Sequence, residues 1–158
     1  MKRISLLFSC LLLMVFLSNC SKEKAEPVDT VYPEISLDFP DAFPGQCAVI
    51  KRGENFLFKA LVSDNKQLGS LNVDIHHNFD HHTHSTELVA CEMLPVKQAV
   101  KPFLLIQNVA IPAGLKTYQV TAEIEVPTDV DPGDYHFMIR LTDKEGWQTI
   151  KGLSIKIN

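Results

Sequence analysis

Several features that mark specialised classes of protein are missing from this chain. It has no polybasic run, no acidic tail and no low-complexity tract, and its formal charge at pH 7 is only -4. A mildly acidic chain lacks the electrostatic footprint of a nucleic-acid-binding protein, so we expect no nucleic-acid partner. No stretch repeats its apolar residues with the 3.6-residue period of an amphipathic helix, which argues against a helical domain.

Recognisable catalytic motifs are also missing. No serine stands in a glycine-flanked nucleophile elbow. Asp80-His81-His82 looks like the Asp-His-His motif of a phosphoesterase family, but the further metal-binding aspartates of that family cannot be set up here. The histidine pattern of metallo-β-lactamase-like hydrolases fails at Asn78, which stands in place of its second histidine. The sequence therefore predicts a protein that is not an enzyme.

The N-terminal twenty residues have the pattern of a secretory targeting segment. Two basic residues precede an almost continuously apolar run over residues 4–17, which is too short to span a bilayer comfortably. The segment ends in Leu17-Ser18-Asn19-Cys20, which resembles the lipobox of bacterial lipoproteins, although a residue smaller than Asn19 is more usual there. The resemblance implies a signal peptide over residues 1–19 and a lipid on Cys20, which would anchor the chain in the cell envelope, at the outer membrane. Secretion without a lipid is the alternative.

Few cysteines remain once that segment is set aside. Of the four in the chain, Cys10 lies in the predicted signal and Cys20 at the lipobox, which leaves Cys47 and Cys91. Two cysteines in an oxidising compartment are expected to form one disulfide, and two buried free thiols are the alternative.

The rest of the chain divides into a tether and one domain. Residues 20–31 are charged and non-aromatic, with no apolar face to bury, which predicts a tether ahead of a single domain at residues 32–158. Within the domain the residue period is two, as in residues 119–126, where apolar and polar side chains alternate. This alternation is typical of an antiparallel sheet with one buried face. Clear strands are expected at residues 56–62, 71–77, 118–126, 135–142 and 149–157, the last with a bulge at Gly152, and weaker strands at 32–39, 46–51, 87–94 and 103–111.

About eight short strands at this spacing indicate two packed sheets. Residues 132–146 resemble the F strand and the F–G turn of bacterial immunoglobulin-like domains, with Tyr135 at the position of a tyrosine corner. The resemblance implies an all-β, immunoglobulin-like antiparallel β-sandwich, in which residues 71–77 form strand C beside strand F. A closed barrel of the lipocalin kind is the alternative, and the tyrosine argues against it.

Histidine is concentrated in one place. Five of the six histidines, His76, His77, His81, His82 and His84, lie in residues 74–85, and the sixth is His136. If strands C and F pair, His76 and His136 both lie on the outward face of one sheet, so the sixth histidine is expected beside the others. Neutral imidazole is a good ligand for zinc and copper, and carboxylates complete such shells.

The sequence thus predicts a non-catalytic transition-metal site that binds zinc or copper. We expect the ligands to be His76, His82, His84 and His136, with His77, Asp80 and His81 as substitutes. Phe79 is expected to anchor the loop onto the sheet. The main alternative is an adhesion or carbohydrate-associated accessory module whose histidines are structural, and a pH-sensitive interface is a further one. The sequence leaves any protein or glycan partner open.

Short motifs along residues 32–158 carry a wider resemblance. They are Ser63-Asp64-Asn65, Leu68-Gly69-Ser70, the histidine stretch at 74–87, Gly133-Asp134-Tyr135-His136-Phe137 and Gly146-Trp147-Gln148. On these residues the chain resembles a family of small lipoproteins of Bacteroidetes-type bacteria known as a domain of unknown function. The resemblance implies an envelope location and an immunoglobulin-like fold, and it implies no activity.

Overall fold

The computed structural model describes residues 27–158, so the predicted signal peptide, Cys20 and the first part of the tether lie outside the described residues. The strands there are β1 (Glu34–Ser36), β2 (Val49–Ile50), β3 (Asn55–Ser63), β4 (Leu68–His77), β5 (Leu105–Val109), β6 (Thr117–Glu125), β7 (Gly133–Asp143) and β8 (Gln148–Ile157). In this part of the chain, no helix is long and apolar enough to cross a membrane.

The strands form two sheets, with the orders β1-β3-β6 and β2-β8-β7-β4-β5. These orders correspond to the A-B-E and G-F-C sheets of an immunoglobulin-like domain, with one additional strand at each edge of the second sheet. All pairs are antiparallel except β2 and β8, which run parallel. The predicted all-β sandwich is therefore confirmed, and the barrel alternative is wrong because the strands separate into two sheets.

The core lies between the two sheets and follows the predicted alternation. Phe58 and Val62 of β3 and Phe137 and Ile139 of β7 are fully buried. The rings of Phe58 and Phe137 meet across the sandwich with centroids 5.3 Å apart. Burying each large apolar side chain contributes about 1.5–3 kcal/mol, which favours this register over a one-residue slip that would expose the whole face.

Tyr135 forms the predicted tyrosine corner. Its hydroxyl donates to the carbonyl of Asp131 at 2.6 Å and accepts the N–H of Phe103 at 3.1 Å. Burial raises the pKa of Tyr135, so its hydroxyl stays protonated and keeps its donor role. This contact ties the segment before β5 to the start of β7, beside the histidine-rich loop.

The strand predicted at residues 87–94 is wrong. This segment belongs to a long connection between β4 and β5, and Leu88 and Val89 are exposed on it. Its apolar residues do not pack on either sheet. Its backbone is held by side chains and not by a neighbouring strand: Gln46 donates to the Val89 carbonyl at 2.7 Å, and the Leu94 N–H donates to Asp134 at 2.7 Å.

The predicted disulfide is present and holds the same connection. Cys47 and Cys91 are bonded, with their Cα atoms 5.4 Å apart. Cys91 lies in the exposed connection, and Cys47 precedes the edge strand β2. The bond therefore fastens residues 87–94 to the sheet that carries the histidines.

The bulge predicted at Gly152 is also wrong, because β7 and β8 pair without a register shift and Gly152 lies opposite Met138. The register shift lies instead in β4, between Leu68 and Ser70. Gly152 has a different role. A side chain there would collide with the carbonyl of His84, and the Gly152 carbonyl accepts the N–H of Thr86 at 2.9 Å. The missing side chain lets the histidine loop lie directly on the sheet.

Candidate metal centre

Two strands supply the floor of the site. The sequence predicted that His76 and His136 share the outward face of one sheet, and the structure adds the register: His76 of β4 lies directly opposite His136 of β7 in the antiparallel ladder. Their neighbours Ile75 and Phe137 point into the core, so both imidazoles lie on the outer face of the sheet. Directly opposed residues have Cβ atoms about 4.5–5.5 Å apart, which is within imidazole contact.

The loop after β4 supplies the roof. Phe79 is buried and packs edge-on against Tyr135, with ring centroids 5.2 Å apart, so it anchors the loop as expected. Gly133 is needed beneath it, because a Cβ there would lie 2.6 Å from the Phe79 ring. His81 then adopts a left-handed backbone conformation, with φ 62°, at the start of the segment that carries His82 and His84 back over the sheet.

Four imidazoles, two from the strands and two from the loop, lie side by side. The rings of His76, His82, His84 and His136 form six pairs, and their centroids are 4.8–5.6 Å apart. One nitrogen each from His76, His82 and His84 lies within 4.8 Å of the others. His76 and His82 are partly exposed and His84 is exposed, so a metal ion has access from solvent.

His136 has a different environment from the other three. It is 1% exposed, and its Nε2 donates to the His82 carbonyl at 3.1 Å. Burial, followed by the neighbouring imidazoles, lowers the pKa of His136, so its ring is neutral and fixes the loop through that hydrogen bond. The structure thus groups three of the four expected ligands, with His136 beneath them.

Two carboxylates orient the exposed imidazoles. Nδ1 of His76 donates a hydrogen bond to Asp74, and Nδ1 of His82 donates one to Asp80 at 2.5 Å. A carboxylate that accepts Nδ1–H leaves Nε2 unprotonated and raises its basicity, the usual arrangement around a bound metal. The hydrogen bond with His82 also lowers the pKa of Asp80.

These contacts change the roles of two aspartates. Asp80, expected as a substitute ligand, orients His82. Asp74 was missing from the predicted site residues, although its i, i+2 spacing from His76 on one face of a strand was the available signal. His76 Nε2 and His84 Nδ1 lie 3.1 Å apart, within hydrogen-bond distance.

The remaining two histidines lie outside the group. Nε2 of His81 lies 2.8 Å from the Leu94 carbonyl, to which it donates. The His77 ring packs on Phe79 with centroids 4.8 Å apart. Histidines adjacent in sequence are therefore divided between two roles, one set holding the loop and the other facing the site.

A cavity of about 420 Å³ opens beside the cluster. Its lining includes His82, His84 and His136 of the cluster, together with the Cys47–Cys91 disulfide and Ser154. A space of this size lies within the range of small-molecule sites, so the cluster adjoins room for water or a small ligand.

Comparison with known proteins gives a family and similarity to solved structures. A family model described as a domain of unknown function (DUF4625) matches residues 18–158. No curated protein matches the chain. Among solved structures, the GspB Siglec domain is similar at 21% identity and a TM-score of 0.43. That match covers 82% of this chain and 59% of the other, so the chain spans less than two thirds of its length.

Proposed function

From its site and its place in the DUF4625 family, a domain of unknown function, we propose a binding role for this chain. It is a lipid-anchored, non-catalytic envelope protein that binds zinc or copper through His76, His82 and His84. The observation that carries the proposal is the convergence of their three ring nitrogens within 4.8 Å. The carboxylate partners of His76 and His82 support it, because they hold each ring with Nε2 available.

The donor set determines the class of metal. Imidazole nitrogen favours zinc and copper over calcium and magnesium, which prefer oxygen. Ligand nitrogens around zinc lie about 3.3 Å apart, given Zn–N bonds of about 2.0–2.1 Å in a tetrahedron. The three ligand nitrogens lie within 4.8 Å of one another, and Nε2 of His76 and Nδ1 of His84 already lie 3.1 Å apart, close to the spacing that zinc requires.

A three-histidine centre with an open position also occurs in zinc enzymes. The non-catalytic assignment is supported instead by the contacts of the carboxylates that surround the site. Asp74 and Asp80 are occupied with orienting imidazoles. Glu87 pairs with Lys151 at 2.7 Å. These three carboxylates are therefore engaged in other contacts, while Glu92, which also lines the cavity, is exposed on the connection between β4 and β5.

The anchoring part of the proposal rests on the targeting segment and on Cys20, which resembles a lipobox cysteine. The fold gives it a geometric consequence. The N-terminal segment is hydrogen-bonded to the turn after β7: Trp147 Nε1 donates to the Asp29 carbonyl at 2.7 Å. That turn lies at the opposite end of β7 from His136. A lipid on Cys20 would therefore leave the histidine site at the end of the domain away from the attachment.

Calorimetric titration with zinc and with copper tests the proposal on a metal-free chain that begins at Ser21 and so keeps every described residue. We expect one site with a Kd below about 10 μM, equivalent to about -7 kcal/mol. His84→Ala removes an exposed ligand and should weaken binding at least tenfold. His81→Asn is the matched control, since His81 binds a carbonyl and asparagine tolerates its left-handed backbone. Binding weaker than about 10 μM to both metals would contradict the proposal.

The second candidate is an adhesion or carbohydrate-associated accessory module with structural histidines. The observation that favours it is that His81 and His136 each donate to a backbone carbonyl of the loop. Under that function, neither metal binds the chain, and His136→Ala destabilises the domain whether or not zinc is present.

A further inference from the structure

A second cluster of potential ligands lies at the other end of the sandwich. It comprises Asp29 of the N-terminal segment, Asp64 in the turn after β3, Asp143 at the end of β7 and Glu145 in the turn before β8. One oxygen from each carboxylate lies within 4.8 Å of one oxygen from every other. His136 and Asp143 are seven residues apart on β7, which separates the two clusters by about 23 Å.

Three of these carboxylates are buried, and each uses one oxygen to hold its own segment. Asp29, Asp64 and Asp143 are 4%, 8% and 4% exposed. Oδ1 of Asp29 accepts the N–H of Val31 at 3.0 Å, and Oδ1 of Asp64 accepts that of Gln67 at 2.6 Å. Oδ1 of Asp143 accepts the N–H groups of Gly146 and Trp147 at 2.6 and 2.7 Å.

The second oxygen of each buried aspartate lacks a hydrogen-bond partner in the described part of the chain. Oδ2 of Asp29, of Asp64 and of Asp143 is buried and has no hydrogen-bond partner within residues 27–158. The backbone N–H of Val31 lowers the pKa of Asp29, so this carboxylate is charged at neutral pH. A buried, unpaired carboxylate oxygen is costly, and several in one place repel one another.

Protein cations compensate the cluster only in part. None of the ion pairs within residues 27–158 includes Asp29, Asp64, Asp143 or Glu145. After the N–H of Val31, the charge of Lys66 also lowers the pKa of Asp29, but the Lys66 ammonium group donates to the carbonyl of Pro27 at 2.9 Å and forms no ion pair with the cluster. The turns therefore bring four carboxylates together without a direct ion pair to any lysine or arginine of residues 27–158.

We propose that Asp29, Asp64, Asp143 and Glu145 bind a calcium ion. All four donors are oxygens, which calcium prefers, whereas zinc and copper favour the nitrogens at the opposite end. Calcium accepts six to eight oxygens at about 2.3–2.6 Å in irregular arrangements, so carboxylates from three separate segments suit it. Magnesium demands near-ideal octahedral geometry and retains its water, which suits this buried, irregular set less well.

The site joins the N-terminal segment to the domain. Asp29 alone among the four precedes all the strands, and Asn65 donates to it at 3.0 Å. Trp147 donates to the carbonyl of Asp29 and packs against Tyr32, with ring centroids 4.9 Å apart. Calcium at this position would therefore fix the segment that leads to Cys20 against the turns after β3 and β7, and so set the domain's orientation relative to its attachment.

Trp147 provides a direct measurement, because it is the single tryptophan of the chain and contacts Asp29. Calcium chloride is added to the chelator-treated chain that begins at Ser21, while tryptophan fluorescence and the thermal unfolding midpoint are followed. We expect a saturable fluorescence change with a Kd at or below about 1 mM, the upper end for extracellular calcium modules. The midpoint should rise by roughly 5–10 °C at a hundredfold excess of calcium over Kd.

Asp64→Asn and Asp143→Asn distinguish a cation site from a purely structural cluster. Asparagine keeps an Oδ1 acceptor for the turn while removing the charge. Each variant should lose the calcium response and, without calcium, unfold at a higher temperature than the parent chain because repulsion is relieved. Asp41→Asn, which removes an exposed carboxylate outside the cluster, should leave both properties unchanged.

Three outcomes would overturn the proposal. The first is no change in fluorescence or unfolding midpoint up to about 10 mM calcium, ten times the weakest expected Kd. The second is an undiminished calcium response in both asparagine variants. The third is an equal or larger response to magnesium chloride, which would contradict the assignment to calcium. Because zinc binding uses separate residues, its presence or absence does not decide any of these results.

Discussion

At the scale of single residues, hydrogen-bond partners distinguish one histidine from another. His76 and His82 each have a carboxylate on Nδ1, whereas His81 and His136 donate to backbone carbonyls. The first arrangement leaves Nε2 unprotonated, and the second occupies a ring nitrogen with a backbone carbonyl. Residue type alone therefore does not define the site.

The aspartates that orient the imidazoles yield a prediction at this scale. Asp74→Asn keeps the shape of the side chain but removes the charge that holds His76 in its metal-binding tautomer. We expect zinc affinity to fall by about 10–100-fold, as for other carboxylates behind a metal-binding histidine. Competition titration with a zinc chelator measures the change, and Asp38→Asn is the exposed control. Unchanged affinity would show that Asp74 does not support the site.

At the scale of elements, the long connection between β4 and β5 depends on a few attachments. The Cys47–Cys91 bond closes a loop with a sequence separation of 44 residues. We expect Cys47→Ser combined with Cys91→Ser to lower the free energy of unfolding by about 3–4 kcal/mol through loop entropy. Urea denaturation measures this, and reducing the unmodified chain should reproduce it. A loss below about 1 kcal/mol would mean that other contacts already fix the connection.

A second attachment of the same connection predicts a pH dependence. Asp131 accepts the N–H groups of Val100 and Lys101 at 2.7 and 2.8 Å, and these hydrogen bonds lower its pKa below 3.8. The folded state therefore binds this proton less readily than the unfolded state. The resulting stabilisation is fully present above pH 3.8 and is lost as the pH falls through the lower, folded-state pKa.

Asp131→Asn should remove the part of the acid-dependent loss of folding stability that comes from protonating Asp131. Denaturation midpoints measured between about pH 5 and pH 2 should fall less steeply for this variant than for the parent chain. Glu125→Gln, which removes an exposed carboxylate, is the control. Parallel pH profiles for the parent and Asp131→Asn would contradict the assignment.

The elements also show what sequence can predict. Alternation in residues 119–126 predicted β6 because a half-buried strand repeats every two residues. The shared outward face of His76 and His136 followed from pairing strands C and F, whereas their direct opposition depends on a register that the sequence left open. Residues 87–94 have strand-forming side chains, but Gln46, Asp134 and the disulfide determine their conformation, and these partners lie far away in sequence.

At the scale of the whole molecule, β7 connects two clusters of opposite chemistry. Imidazole nitrogens lie near its beginning and carboxylate oxygens near its end. The sequence did not reveal the second cluster, because Asp64 and Asp143 have the ordinary positions of turn aspartates and Asp29 falls in the predicted tether. Their proximity results from packing the N-terminal segment against two turns.

The separation of the clusters predicts independent binding. Sites more than about 10 Å apart without shared partners usually couple by less than about 0.5 kcal/mol. Calcium titrations followed by Trp147 fluorescence should therefore give Kd values that differ by less than about twofold with and without saturating zinc. A larger shift would show that β7 transmits a structural change between its ends.

Zinc-edge X-ray absorption on the zinc-loaded chain tests the central claim most directly. The structure predicts three imidazole nitrogens at about 2.0–2.1 Å from the metal, with the remaining position occupied by water. His84→Ala should reduce the imidazole contribution by one, whereas His81→Asn should leave the spectrum unchanged. A spectrum with fewer than three imidazoles, or one that changes in His81→Asn but not in His84→Ala, would contradict a site built from His76, His82 and His84.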